Sequence, residues 1–350
     1  MKTQRIALVL VPLWLAFGPA SAADVQSKPS GSAAASSALS LQKECSLTAQ
    51  LETLRAGLGR GSGPLKTFLR KQLRERAATL PEAELRAAFE RERDPMMIEE
   101  LSGALAARMA RHNEPSALRS VLERAVQDRD PAARAAALRG LRGSASVEAM
   151  EKLGGVDYTA LIKDSSKEVR QAVVANLLSE SAEVYFGHDR AVSEQAIAVA
   201  LGARSGPSAD PALAAKLLGE ISTESVGAAA VTELLSLLDA PPEPSLGALR
   251  AAVVLALGGV PASESARVVR RLLDLYRQDD SQVVRRAVLG ALCRLQMAKA
   301  LPTLEALRPI DLHLSKDIDA WQQALRTGLQ EWTLLAREKQ RILPDAPQPH

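Results

Sequence analysis

One spacing recurs in this chain and constrains its fold more than any other feature. Asp128, Asp164 and Asp279 each stand six residues before an arginine: Arg134, Arg170 and Arg285. Each arginine stands seven residues before a leucine: Leu141, Leu177 and Leu292. Arg250 keeps its leucine, Leu257, without the aspartate. The arginines follow one another at intervals of 36, 80 and 35 residues. The long interval spans two periods, so one divergent copy belongs in it, at 191–204 or 211–222. Self-similarity at a period of roughly 20–50 residues marks a stack of small units, each burying a face only against its neighbours.

The units are helical. Aromatic residues make up only 3% of the chain, while Ala, Leu, Arg and Glu dominate, and these lose little side-chain entropy in a helix. Leu47, Leu51, Leu54 and Leu58 recur on one helical face, as do Leu65, Leu69 and Leu73. Pro81, Pro95, Pro115 and Pro131 fall where first-turn prolines belong, since the amide they lack has no partner there. The spacing predicts first helices over 116–127, 147–162, 224–238 and 263–277, each followed by a helix carrying the arginine. A last first-helix pattern runs from Ala298 to Leu307.

These segments resemble the HEAT-repeat family in its short bacterial form. Val169-Arg170 and Val284-Arg285, after an aspartate turn, carry the likeness. The resemblance covers 115–310 clearly and 44–114 weakly. It implies an all-α fold, an α-solenoid of antiparallel helix pairs, and it identifies architecture rather than activity. Within it, the arginines are expected to pair with an aspartate of an adjacent turn as an internal ladder of Asp128, Arg134, Asp164, Arg170, Arg250, Asp279 and Arg285. The alternative is that the arginines touch a ligand.

The ends depart from the pattern. Residues 44–114 lack the Asp-to-Arg spacing and read as an N-terminal helical cap or divergent repeats. Residues 311–343 read as a C-terminal capping helix, with a continuous helix expected from Ser315 to Arg341. Trp321 and Trp332 lie eleven residues apart and would share one face of it. Packing against the end of the array is one role for them, and anchoring a partner is the other. Tyr185 to Arg190, with His188, is a polar and aromatic interruption, either a tight turn or an inserted functional loop.

Lys2 and Arg5, the apolar run Ile6 to Phe17 and the small residues around Ala20 and Ala22 form a cleavable export signal over 1–22, cut after Ala22. A flexible Ser/Ala-rich tether at 23–43 comes next, and the tail 344–350 is proline-rich. No other stretch is apolar enough to cross a membrane, so the chain is expected to be periplasmic or secreted. The full chain carries +3, two of which are Lys2 and Arg5, leaving a mature charge near +1. That balance does not call for a nucleic-acid partner. Cys45 and Cys293 sit at opposite ends of the array, too far apart for one disulfide, so both are expected as unpaired thiols, with an intermolecular bond through Cys45 as the alternative.

The four histidines lack metal-site spacing, and no phosphate loop or nucleophile elbow is present. The sequence therefore predicts no catalytic, metal or cofactor residues. The expected function is a non-catalytic scaffold or adaptor that docks a protein or peptide. A lyase-type enzyme on a helical-repeat scaffold is the alternative.

Overall fold

The computed structural model describes residues 47–60, 63–112, 115–142, 157–184, 190–204, 206–239, 243–328 and 331–342. The chain divides into two compact units, Met1–Gln50 and Leu51–His350. Of the first, only the opening turn of a helix is described, and all other described residues belong to the second. The export signal, the tether, His188 and the proline-rich tail lie outside the described residues.

The described residues form an all-helical structure without strands. In chain order the helices are α1 (Leu47–Arg60), α2 (Gly63–Ala77), α3 (Glu82–Arg91), α4 (Pro95–His112), α5 (Pro115–Gln127) and α6 (Pro131–Gly140). Next come α7 (Tyr158–Leu161), α8 (Lys167–Val184), α9 (Arg190–Arg204), α10 (Pro211–Glu220), α11 (Ala228–Ser236) and α12 (Gly247–Leu257). The chain ends in α13 (Ala262–Gln278), α14 (Gln282–Gln296), α15 (Leu301–Leu307), α16 (Ser315–Thr327) and α17 (Glu331–Ile342).

The starts of these helices are set by their sequence. Asp130 caps α6 by accepting the Ala132 amide, and Pro131 fills the first helical position. Asp210 and Pro211 repeat the device at α10, with the Leu213 amide as donor. Asp157 opens α7 by accepting from Thr159 and Ala160.

Packing runs in series. The even-numbered helices from α2 to α16 each lie against the next even-numbered helix, and α4 to α16 also lie against the helix that precedes them. Small residues set how closely the even helices approach. In α6, Ala133, Ala135, Ala136 and Ala137 are all buried. Gly140 ends α6 so tightly against α4 that a Cβ there would come within 2.3 Å of the Ser102 Cβ and 2.5 Å of the Glu99 carbonyl oxygen. Gly258, at the end of α12, would meet Ala291 of α14 at 2.9 Å.

The C-terminal region differs from the continuous helix expected over Ser315 to Arg341. Gly328 takes the left-handed conformation, φ 65°, and its amide donates to the Ala324 carbonyl at 2.8 Å. This closes α16 as a C-terminal glycine does. Trp321 and Trp332 therefore belong to different helices, so the shared face inferred from their spacing does not exist. The expected helix over 224–238 is likewise shorter, starting at Ala228 after Gly227.

Gly140→Ala should destabilise the fold by about 1–3 kcal/mol, the cost of overpacking a filled contact. Urea unfolding of the variant against the parent chain checks it. An unchanged midpoint would show that α4 and α6 are not pressed together there.

Candidate functional site

The repeated arginines sit at the fourth position of α6, α8, α12 and α14, and their guanidinium groups each reach two ways. Inside its own unit, Arg134 donates to the Asp128 carbonyl at 2.8 Å, Arg170 to the Asp164 carbonyl at 2.8 Å and Arg285 to the Asp279 carbonyl at 2.7 Å. This explains the six-residue spacing, because the side chain folds back over the turn that precedes its helix. Toward the next unit, Arg134 meets the Asp164 carboxylate at 2.8 Å and Arg250 meets Asp279 at 2.9 Å. Arg285 reaches Asp311 at 3.2 Å, and Arg170 approaches Asp210 at 3.8 Å.

The aspartates do not cap their helices. Asp128, Asp164 and Asp279 accept the amide two residues on, from Asp130, Ser166 and Ser281, and so fold the linker into a turn before the helix begins. The leucines seven residues past each arginine, Leu141, Leu177, Leu257 and Leu292, are buried.

Two acids in this series, Asp210 and Asp311, escaped the sequence pattern. No arginine stands six residues after either. Asp210 carried a different signal, the Asp-Pro pair it shares with Asp130-Pro131. That pair marks 211–220 as the second helix of the divergent unit. Ala214 occupies the arginine's position in α10, so no rung leads from α10 to α12. Asp239, in the turn before α12, is met instead by Arg271 of α13 at 2.8 Å.

At the Asp311 end, burial and the neighbouring Asp311 charge push the Tyr276 phenol above its usual range. Its hydroxyl therefore stays protonated and donates to Asp311 at 3.1 Å.

Each end of the even-helix series carries a further charge cluster that no short spacing announced. Near the N-terminal end, Arg70 bridges Glu99 and Glu100, Arg74 meets Glu100 at 3.0 Å, and Arg139 meets Glu99 at 3.0 Å. These pairs join α2, α4 and α6. Near the C-terminal end, Asp317 of α16 receives Arg286 of α14 at 3.1 Å and, from α17, Arg337 at 3.1 Å and Arg341 at 3.2 Å. Glu338, 2% exposed, pairs with Arg341 at 2.9 Å. Burial pushes the Glu338 carboxyl above its usual range. Arg341 and Arg337 pull it back, and Asp317 adds to the rise.

Trp321 is fully buried and presents no surface in this conformation. Trp332 lies in α17, with its side chain outside what is described. Cys293 is buried in α14. Among the described residues no group of His, Cys, Asp and Glu is placed to hold a metal ion, and no helix is long and apolar enough to cross a membrane. Searches against family models, characterised proteins and solved structures find no match to this chain.

Two outcomes test these charges. Asp279→Ala strands a buried guanidinium and should cost about 3–5 kcal/mol. Asp274→Ala, which removes an exposed pair with Arg277, should cost below about 1 kcal/mol. Equal losses in denaturant unfolding would mean the rungs are not structural.

The second outcome concerns Glu338. The folded state holds its proton more tightly than the unfolded chain does. Its contribution to stability is therefore complete below about pH 4.3 and declines as pH rises through its raised value. The stability difference between the parent chain and Glu338→Gln should fall across that window and then level off. A difference independent of pH would show that the carboxyl is not desolvated.

Proposed function

We propose that this chain is an exported, HEAT-like α-solenoid that docks another protein or peptide along its even-numbered helices and performs no catalysis. The observation that carries the reading is the serial packing of those helices, tied by arginine–aspartate rungs between consecutive units. A stack built from neighbour contacts presents a long surface made of equivalent positions, which suits an extended macromolecular partner better than a small substrate.

The use made of buried charge supports the non-catalytic part. Arg250 and Asp279, Arg285 with Asp311 and Tyr276, and Glu100 with Arg70 and Arg74 are spent on one another. They join helices to one another. The export signal over 1–22 supports a periplasmic or extracellular site of action.

Photo-crosslinking side chains placed on the exposed side of even helices, at Gln171 and Lys216, should capture the same protein from intact cells. The same groups at Arg119 of α5 and Glu233 of α11 should not. Capture from both sets alike would remove the docking face, and turnover of a small molecule by the purified chain would remove the scaffold reading altogether.

A further inference from the structure

Helix α17 reaches beyond the last unit of the stack. A cap covers the last unit of a stack. Helix α17 packs on α16 but also runs back across α14 and α12, and its Lys339 reaches Glu220 at the end of α10, 3.2 Å away. It therefore lies along the side of three even-numbered helices.

The surface beneath it has a definite chemistry. Its floor centres on Gly290 of α14. A Cβ at that position would lie 3.3 Å from Trp321, 3.8 Å from Leu335 of α17 and 3.9 Å from Leu255 of α12. A methyl group at 290 would crowd Trp321, while Leu335 and Leu255 lie at ordinary contact distance from it, so the leucine of α17 rests on the backbone of α14 beside α12. Apart from α17 itself, the floor is bounded by carboxylates: Asp317 of α16, which also holds Arg286, and Glu220 of α10.

Helix α17 answers each feature. Leu334 and Leu335 are buried, while Arg337 and Arg341 meet Asp317 and Lys339 meets Glu220. The fit is imperfect in one respect, because docking also buries Glu338, a carboxylate that is paired with Arg337 and Arg341 of its own helix.

We infer that the side of α12 and α14 is a helix-docking groove, that α17 is its resident occupant, and that a partner protein enters it as an amphipathic helix of the same chemistry. That chemistry is adjacent leucines on one face and basic residues within the following two turns. The inference rests on the docking function proposed above and names which part of the face is used and what uses it. The groove accepts the partner only when α17 swings away about Gly328, so α17 sets the apparent affinity through the fraction of time it is undocked.

The test uses the full chain and a labelled synthetic peptide with the sequence of Glu331–Ile342. Leu335→Glu should release α17, and the variant should then bind the peptide at least about tenfold more tightly than the parent chain, as removal of an internal competitor requires. In the unmodified chain, hydrogen exchange at 331–342 should be much faster than in α14, reporting local opening.

Equal peptide binding by the two chains, or by neither, overturns the inference. So does exchange in α17 as slow as in α14, or unfolding of the whole chain by Leu335→Glu, since either makes α17 an inseparable part of the core. A dimer of the parent chain that exchanges α17 between copies would also overturn it, by assigning the groove to self-association. All of these outcomes leave the crosslinking result untouched, so the docking reading and the groove fail separately.

Discussion

At four junctions a unit is held to the next by one arginine side chain that serves two turns at once. A guanidinium is planar and carries five donors in a fixed fork, so it can bond a carbonyl behind it and a carboxylate ahead of it without changing rotamer. Arg134, Arg170 and Arg285 do both, and Arg250 pairs forward with Asp279 while facing the Leu238 carbonyl. A lysine offers a point charge on a flexible stem and would satisfy one partner at a time. The pairs are buried to different degrees, Arg250–Asp279 most of all. A buried pair of this kind contributes little net stability against an apolar substitute, because desolvation consumes the attraction. Its effect is on register: any slip of one unit past the next would strand a charge. Apolar contacts among alanines and leucines supply the driving force, and the rungs select one arrangement of them.

The same constraint explains where the pattern breaks. Helices α4 and α10 open with Asp-Pro and have Ile98 and Ala214 where the arginine would stand. Neither sends a rung forward. The acid left without a rung is met from an odd-numbered helix instead, Asp128 by Arg124 at 3.0 Å and Asp239 by Arg271 at 2.8 Å. Arg124 also donates to the Phe89 and Glu92 carbonyls and lies 5.0 Å over the Phe89 ring, so α5 fastens onto the end of α3 there. The substitution of one anchoring direction for another keeps the charges matched at those junctions.

Much of the fold was legible because its signals are local. Helix starts are marked by Asp, Ser and Pro, and the six-residue interval between aspartate and arginine is the length of one turn closure. Asp311 was not legible, since the residue six positions on is Asp317, itself the centre of another cluster. Nor were Arg70, Glu99 and Arg139, whose partners stand about thirty to forty residues away on helices with no shared spacing. The break at Gly328 was readable in principle. A single glycine inside a helical pattern is common, however, and only its left-handed φ shows that the chain turns there. The two tryptophans misled for this reason: their spacing is helical, but the backbone between them is not.

The groove lies on the even-numbered helices because of what those helices are made of. They lie side by side with small residues at the contacts, and α17 packs across α12, α14 and α16. Leu334, Leu335 and Ile342 would each contribute about 1.5–3 kcal/mol on full burial, against the ordering of a twelve-residue helix that is marginal by itself. The ion pairs to Asp317 and Glu220 are partly exposed, and the buried Glu338 carboxylate opposes docking. Docking of α17 has to offset the desolvation of Glu338, whose carboxyl stays raised even with Arg337 and Arg341 of the same helix beside it.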